Sequence, residues 1–234
     1  MTRHSAPDIA LRTIDGSAPS RAGITALAVD GRPARLLNCD MEEADLSELD
    51  MTGWRFENCI LKRANFAGAT LDDAAFVSCR GAFVDFTAAS LMEATIDTCD
   101  FNNGQFQAAT VAQACFTGCK LTGADFTRAR ANAVVFRETT LSAARLPGIS
   151  FRKTAIERVD FSMADLARCD FREASFADSS LRDAHLVDAR FEGADLRGAD
   201  LGGVRLSDFG KFKGATISRD QAGALLAEMG LRVQ

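Results

Sequence analysis

The stretch Ala194-Asp195-Leu196-Arg197-Gly198-Ala199-Asp200-Leu201 contains a five-residue unit and the start of the next one, and this unit decides the fold. From position 36 to position 206, every fifth residue is large and apolar in all but two of 35 cases, the exceptions being Gly81 and Ala131. Neither a helix, with a period of 3.6, nor a strand, with a period of 2, produces a strict interval of five. A fixed short repeat is typical of a solenoid, in which each unit buries its apolar face by stacking on its neighbours.

The position two residues before each central apolar residue is usually small, being Ala in 18 of the 35 cases and Cys in six. Fourteen of the 17 Phe residues stand at the central position itself. A unit with two inward side chains is a short extended segment followed by a turn, and four such segments close one square coil. Coils of about 20 residues that pair like β-strands at roughly 4.8 Å predict nearly nine coils and a rod about 40 Å long.

The units quoted above resemble the pentapeptide repeat family. The resemblance covers residues 34–210, about three quarters of the chain. It implies an all-β solenoid, a right-handed quadrilateral β-helix, with the central residue and the small residue pointing inward and the other three pointing outward. We therefore expect one elongated domain over residues 34–210.

The two ends of the chain do not carry the repeat. Residues 1–33 are predicted to be partly disordered, with a capping strand or hairpin whose turn is Asp30-Gly31. Residues 211–234 are predicted to form a capping and dimerisation helix, with Ser218 as its N-cap and Gly230 as its stop.

The net charge of −5 argues against direct binding of nucleic acid or of a membrane surface, since both favour basic proteins. The N-terminus lacks the apolar stretch of a signal peptide, and no apolar run is long enough for a membrane span. Six of the seven Cys residues occupy inward positions, which indicates reduced thiols and a cytoplasmic protein.

Five of these cysteines recur at the same place in successive predicted coils and are expected to stack as one ladder: Cys39, Cys59, Cys79, Cys99 and Cys119. One interpretation is a metal or redox wire. The favoured interpretation is that Cys is a small, buriable residue that fits where Ala fits, because no His and no C-x-x-C pair accompanies the ladder.

Enzyme chemistry is not expected. The chain has no Tyr and only two His residues, His4 near the N-terminus and His185 on an outward turn. A convex rod offers no pocket that excludes water or orients a substrate, and no phosphate-binding loop or nucleophile motif is present. We therefore predict no catalytic residue, no cofactor and no metal site.

Acidic charge is concentrated in the first half of the repeat. Residues 36–110 contain 13 Asp or Glu and four Lys or Arg, whereas residues 111–210 contain 14 of each. The candidate acidic surface for binding a partner comprises Asp45, Asp85, Asp125, Asp165, Asp40 and Asp100. The alternative is that Asp stands before the central residue because it favours turns by bonding the nearby backbone.

The C-terminal pattern Gln221-Ala222, Leu225-Leu226 and Gly230-Leu231-Arg232-Val233 is similar to the C-terminal end of the quinolone-resistance (Qnr) pentapeptide proteins. The mycobacterial fluoroquinolone-resistance protein is a looser likeness. These resemblances imply a homodimer through the C-terminal end and a rod that mimics duplex DNA and binds DNA gyrase or topoisomerase IV, regulating the enzyme or protecting it from quinolones or natural poisons. The candidate dimerisation residues are Phe209, Phe212, Leu225, Leu226, Met229 and Leu231.

This chain differs from the Qnr pattern in three respects. Its register is not interrupted by loops, Arg is abundant near the C-terminal end, and residues 1–30 have no counterpart. The alternative function is therefore an interaction scaffold or regulator with a partner other than a topoisomerase. A fold alone does not decide between them.

Overall fold

The computed structural model of the protein describes residues 12–203, 210–228 and 230–232. The described chain is a solenoid of parallel strands with one helix near each end. Its elements in order are β1 (Arg12–Asp15), α1 (Arg21–Val29), β2 (Ala34–Leu37), β3 (Arg55–Glu57), β4 (Ala75–Val77), β5 (Thr95–Asp97), β6 (Cys115–Thr117), β7 (Val135–Arg137), β8 (Ala155–Glu157), β9 (Ser175–Ala177), β10 (Ser179–Ser180), β11 (Ala199–Asp200) and α2 (Arg219–Glu228). Neither described helix has the length or hydropathy that crossing a bilayer requires.

Each coil has four sides, because parallel bridges recur at four regularly spaced positions in every coil. Face 1 carries β2 to β9, and faces 2, 3 and 4 begin at the bridging residues Asp40, Asp45 and Asp50 and at the equivalent positions of each later coil. We number the coils from residue 35, so that coil 1 is residues 35–54, coil 2 is residues 55–74 and coil 8 is residues 175–194. The predicted all-β solenoid of about nine coils is confirmed.

The described turns after the central residues share one geometry, with the exception of the turn at Gly198. In the turn after Met41, for example, the amide of Ala44 bonds the Met41 carbonyl at 3.1 Å, and Glu43 between them has a φ of 56°. Left-handed backbone is unfavourable for most residues. It persists here because the same Glu43 amide bonds Lys62 of the next coil at 2.9 Å, so the turn and the coil stack stabilise each other.

The interior is filled by the central residues, which stack on their counterparts in the neighbouring coils. Phe56 and Phe76 lie parallel with ring centroids 4.6 Å apart, and Phe106 and Phe126 do so at 4.5 Å. Rings on the opposite faces 1 and 3 meet edge to face at about 6 Å, an arrangement that suits the aromatic quadrupole. Trp54, which the sequence predicts to be partly exposed or to distort the first turns, is instead 2% exposed between the small residues of its column.

Gly81 does not interrupt the coil, although its missing side chain predicts a local bulge. Its amide bonds the Asp100 carbonyl at 2.7 Å in the usual register. The space of the missing side chain is taken by the next residue of the column, because a Cβ on Gly81 would lie 2.8 Å from the Phe101 ring. The exposed Phe83 therefore belongs to the ordinary turn and does not replace the central residue.

The second irregularity, Ala131, coincides with a gap in the backbone ladder. Among the described residues, the amides of Arg128, Ala131 and Ala133 lack the bonds to the next coil that their counterparts elsewhere make, and β7 pairs with β8 at a single position. Faces 2 and 3 remain closed there, as the 2.7 Å bond from Leu141 to Asp160 illustrates. The undersized Ala131 thus marks a loosening of the stack at face 4 that continues onto face 1 between β7 and β8.

Residues 12–33 form a strand and a helix, and the predicted Asp30-Gly31 hairpin is wrong. Asp30 is the C-cap of α1, whose N-cap Ser20 accepts a hydrogen bond from Gly23 at 3.3 Å. The buried Ile24 closes the end of the core, and Arg12 is paired with Asp30 at 2.6 Å. A strand does extend the first coil, but it is β1, which lies in the stretch predicted to be partly disordered and pairs in parallel with β2. Residues 1–11 of the segment predicted to be partly disordered lie outside the described residues.

The repeat continues beyond its predicted end at residue 210, with one inserted residue. Asp195 bridges Thr216, whereas the regular spacing assigns Ala215 as its partner, and Phe212 stacks on Phe191 with centroids 4.7 Å apart. The extra residue lies in the stretch between Leu196 and Thr216, part of which is outside the described residues. Phe212 thereby takes the central position that the strict period assigns to residue 211.

Replacing Gly81 with Leu restores the apolar pattern, yet we expect it to destabilise the protein. The new side chain collides with the Phe101 ring, and overpacking of this kind costs about 1–3 kcal/mol of unfolding free energy. Urea unfolding measures the change. In the double variant Gly81→Leu/Phe101→Leu, most of the loss is recovered because the ring is gone, and Phe101→Leu alone is the control. A Gly81→Leu variant as stable as the parent contradicts the packing described here.

Candidate functional site

The six predicted surface acids have a shared structural role. Each carboxylate accepts the backbone N–H two residues further on, for example Asp85 from Thr87 at 2.8 Å and Asp100 from Asn102 at 3.3 Å. The same bond is made by Asp45, Asp125, Asp165 and Asp40. The turn-forming explanation therefore accounts for the presence of Asp at these positions. Their negative charge can attract a binding partner only where no neighbouring Lys or Arg neutralises it.

Two of the six are neutralised by Arg. Asp45 is 2.8 Å from Arg21 of α1, and the hydrogen bond from Ser47 together with this cation lowers the pKa of its carboxyl group. Asp125 is only 8% exposed and is 3.0 Å from Arg145. The face 3 column is consequently not a continuous ladder of negative charge.

The remaining four acids form no ion pair with any described residue: Asp40, Asp85, Asp100 and Asp165. Asp40 and Asp100 lie on face 2, and Asp85 and Asp165 lie on face 3. These two adjacent faces retain the negative charge of the candidate surface. The negative charge is densest in coils 1 to 4, where Lys and Arg are scarce.

A second group of acids was missed, on face 4 and its border with face 3. It consists of Glu48, Asp50, Asp72, Asp73 and Glu93. Most of these residues occupy the two positions after a central residue and not the one before it. The sequence contains the signal for this group, because residues spaced 20 apart align in successive coils at these positions as well.

The C-terminal half is neutral on average, since its acids and bases are equal in number, and most of its bases are paired. Arg197 donates to Asp195 and lowers the pKa of that carboxyl group to about 2, and Arg172 lowers the pKa of Asp170 in the same way. Other pairs include Arg137–Glu157, Arg158–Glu138 and Arg182–Asp200. Exposed pairs of this kind contribute little to stability, but they remove the surface field.

One groove on the described surface has charged walls. An open groove of about 580 Å³ is lined by Arg158, Asp178, Arg197 and Asp200, and both Arg residues are already paired with other carboxylates. Among the described residues, no three His, Cys, Asp or Glu side chains are arranged to hold a metal ion.

The cysteine ladder lies in the core as a column of protonated donors. The thiols of Cys59, Cys79 and Cys119 approach the carbonyl of a central residue in the preceding coil at 3.3–3.4 Å. Thr139 and Ser179 make the same contact further along the column. This shared bond explains why the column accepts small polar residues as well as apolar ones, and it requires a proton on sulfur. The geometry agrees with the packing interpretation.

The family follows from the repeat itself. A family profile described as the pentapeptide repeat region matches residues 49–126 and 124–201, and one described as pentapeptide repeats (8 copies) matches residues 34–63. The chain belongs to the pentapeptide repeat family. None of the curated proteins compared with this pentapeptide repeat protein matches it.

Among solved structures, the chain is similar to HetL, a pentapeptide repeat protein involved in heterocyst differentiation regulation from the cyanobacterium Nostoc sp. strain PCC 7120. The TM-score is 0.67 at 22% identity, over 82% of this chain and 89% of HetL. This likeness shows the shared fold alone. The full-length plasmid-mediated fluoroquinolone resistance protein QnrB1 aligns with a TM-score of 0.46 at 22% identity, over 94% of this chain and 98% of QnrB1.

The C-terminal segment of this pentapeptide repeat protein packs on its own last coil. Gln221 of α2 donates to the carbonyls of Leu196 and Ala199 at 2.6 and 2.7 Å, and Leu225 is 7% exposed within the core. Of the predicted dimerisation residues, Phe212 and Leu225 thus pack against their own chain. Leu226 and Leu231 are 37% and 52% exposed, and Phe209 and Met229 lie outside the described residues.

The buried thiols predict a loss of stability at alkaline pH. Burial raises the pKa of Cys119 and of Cys169 to about 12, from an ordinary value of 9.0. Between about pH 9 and pH 12 the unfolded chain therefore releases thiol protons that the folded chain retains. Each such thiol lowers the free energy of unfolding by about 1.4 kcal/mol per pH unit in that window.

Urea unfolding at pH 8, 9 and 10 under reducing conditions measures this effect. The Cys119→Ala/Cys169→Ala variant is expected to lose stability less steeply above pH 9, by the contribution of two thiols. Ionisation of Lys is common to both proteins and cancels in the comparison. Identical slopes for the parent and the variant contradict the assignment.

Proposed function

We propose that this chain is a non-enzymatic, cytoplasmic protein that binds a type II topoisomerase, DNA gyrase or topoisomerase IV, and regulates it or protects it from quinolones or natural poisons. The observation that carries the proposal is the excess of acids over bases in coils 1 to 4 of an elongated rod. A DNA-binding groove is basic, and complementary charge steers association and fixes orientation. The reduced, buried cysteines agree with a cytoplasmic location.

The proposed contact is the acidic part of faces 2 and 3, represented by Asp40, Asp85 and Asp100. Their carboxylates each use one oxygen in the turn and have no ion pair among the described residues. Asp45 and Asp125 are assigned a smaller part than the sequence alone implies, because Arg21 and Arg145 neutralise them.

The test is DNA supercoiling by purified gyrase with increasing amounts of the chain, with and without ciprofloxacin. Decatenation by topoisomerase IV is run in parallel. We expect inhibition or relief of drug-induced cleavage. The variant Asp40→Asn/Asp85→Asn/Asp100→Asn is expected to need about a tenfold higher concentration, since exposed charges each contribute up to about 1 kcal/mol. Asparagine keeps the acceptor for the turn, so the fold is preserved.

The matched control is Asp72→Asn/Asp73→Asn on face 4, which we expect to act like the parent. No effect of the parent on either enzyme at micromolar concentration contradicts the topoisomerase proposal. A parent that acts while both variants act equally well contradicts the assignment of the contact to faces 2 and 3.

A second candidate function is a scaffold or regulator for a partner other than a topoisomerase. Phe83 and Met163, on the same edge of face 2, favour it, because they are 52% and 61% exposed and aromatic and Met side chains are common in interface cores. In this case Phe83→Ala weakens binding of the partner, whereas the three Asp→Asn changes and moderate salt do not.

We propose further that the chain forms a homodimer through its C-terminal end, with Leu226 and Leu231 as the contact. Both side chains are exposed, while Leu225 is occupied in the core. Light scattering in 500 mM salt is expected to give half the parent mass for Leu226→Asp/Leu231→Asp. Val187→Asp, at a side chain 45% exposed on coil 8, is the control. An unchanged mass for the double variant contradicts this contact.

A further inference from the structure

Face 4 and its border with face 3 carry charge in an ordered sequence along the rod. Coils 1 to 3 present only acids there: Glu48, Asp50, Asp72, Asp73 and Glu93. Coil 4 presents no charge, with Ala108, Thr110, Ala112 and Gln113. Coils 5 to 7 present six bases and two acids: Arg128, Arg130, Arg152, Lys153, Arg168, Arg172, Asp170 and Glu173. One side of the rod is therefore acidic at one end, neutral in the middle and basic at the other end.

The basic end keeps surplus charge after internal pairing. Arg152 and Lys153 share the single carboxylate of Glu173 at 2.9 and 3.5 Å. Arg128, Arg130 and Arg168 are exposed and form no ion pair with any described residue. At the acidic end, Asp73 and Glu93 are exposed. Coils 1 to 3 themselves have no base on this side, and Arg21 of α1 donates to the Ser47 carbonyl at its border at 3.2 Å.

This arrangement is complementary to itself. Consider a two-fold axis that lies in the plane of face 4, perpendicular to the rod, and crosses coil 4. It reverses the direction of the rod and keeps each column, that is, each line of residues spaced 20 apart, in the same place across the face. It therefore places coil 2 of one copy opposite coil 6 of the other. The opposite charges that meet in the same column are then Asp72 with Arg152 and Asp73 with Lys153, and coil 1 opposite coil 7 brings Glu48 to Arg168. The one like-charged pair is Asp50 with Asp170, and Asp170 is already paired with Arg172 of its own chain at 2.5 Å. Each pair occurs twice, as an isologous contact requires.

We propose that face 4 is an antiparallel, side-by-side contact between two copies of this chain, centred on coil 4. The small side chains of coil 4 permit close approach, and Met92, which is 41% exposed one coil from the axis, supplies apolar surface near the centre. A long polyanion is a poorer fit, because lying along the basic coils it runs onto the acids about 19 Å away, four coil spacings along the rod. Face 4 is opposite face 2 and adjoins face 3, and the contact contains none of Asp40, Asp85 and Asp100, which represent the topoisomerase contact proposed above.

The first test uses the full chain in sedimentation and light scattering at 20 and 500 mM salt. Exposed charges are screened at the higher concentration. We expect the low-salt mass to be at least twice the high-salt mass. Reversing either end, by Asp72→Lys/Asp73→Lys or by Arg152→Glu/Lys153→Glu, is expected to weaken self-association about tenfold or more. The combined fourfold variant restores it, and an equal mixture of the two reversed variants associates although neither does so alone.

The control for a change of net charge is Asp97→Lys/Asp183→Lys, two exposed acids outside face 4, which is expected to self-associate like the parent. Circular dichroism establishes that every variant is folded. A parent mass that is independent of salt, or reversed variants that do not recover on combination or mixing, overturns the proposal. Binding of a short DNA duplex that depends on Arg152 and Lys153, without salt-dependent self-association, overturns it in favour of a polyanion.

The second test uses the position of the axis. A residue on the axis meets its own counterpart, so Ala112→Cys is expected to form a disulfide-linked dimer on oxidation in low salt and not in high salt. Ala143→Cys, exposed on face 2, is the control and is expected to remain uncrosslinked under the same conditions. The native cysteines interfere little, since six of the seven are buried. Equal crosslinking at both positions overturns the assigned axis.

Discussion

The backbone hydrogen bond from one coil to the next is the interaction on which the rest of the structure depends. Within the repeat, nearly every coil offers its amides to the carbonyls of the following coil at 2.6–3.2 Å, and this ladder holds a left-handed residue in nearly every described turn. A single coil has no partner for these groups and exposes its central Phe and Leu residues. The fold is therefore stable only as a stack, and both ends need a cover. Helix α1 with β1 provides one cover and α2 provides the other.

The same ladder explains why most of the surface acids cannot be interpreted as a binding site directly. Asp before the central residue first satisfies an amide of its own turn, so its presence is sufficiently explained by folding. What distinguishes one Asp from another is its neighbours in the adjacent coils. Asp125 forms an ion pair with Arg145, whereas Asp85 uses one carboxylate oxygen in its turn and has no ion pair among the described residues. A binding surface on such a rod is formed by side chains from several stacked coils on one face, since no single described turn differs enough from the others to form a pocket.

Charge is segregated along the rod as well as around it. The first coils are acidic, and the last coils are neutral on average because acids and bases are equal in number there. Most of their Arg residues pair with carboxylates of the same turn or of an adjacent coil. On face 4 this segregation becomes an acidic end and a basic end separated by an uncharged coil. Exposed charges of this kind contribute little to folding stability, so their order along the rod is available to direct association.

The sequence by itself determined the solenoid, its period, its inward residues and the packing of the cysteines, because these follow from a side-chain pattern that only one geometry satisfies. It also indicated the C-terminal helix, since capping residues act locally. Only the tertiary structure decided that Asp30 ends a helix, that Phe212 continues the stack after an inserted residue, and that Asp45 and Asp125 are neutralised. Each of these outcomes depends on a partner distant in sequence, such as Arg21 for Asp45. A periodic pattern specifies which residues stack, but not which charges meet at the surface.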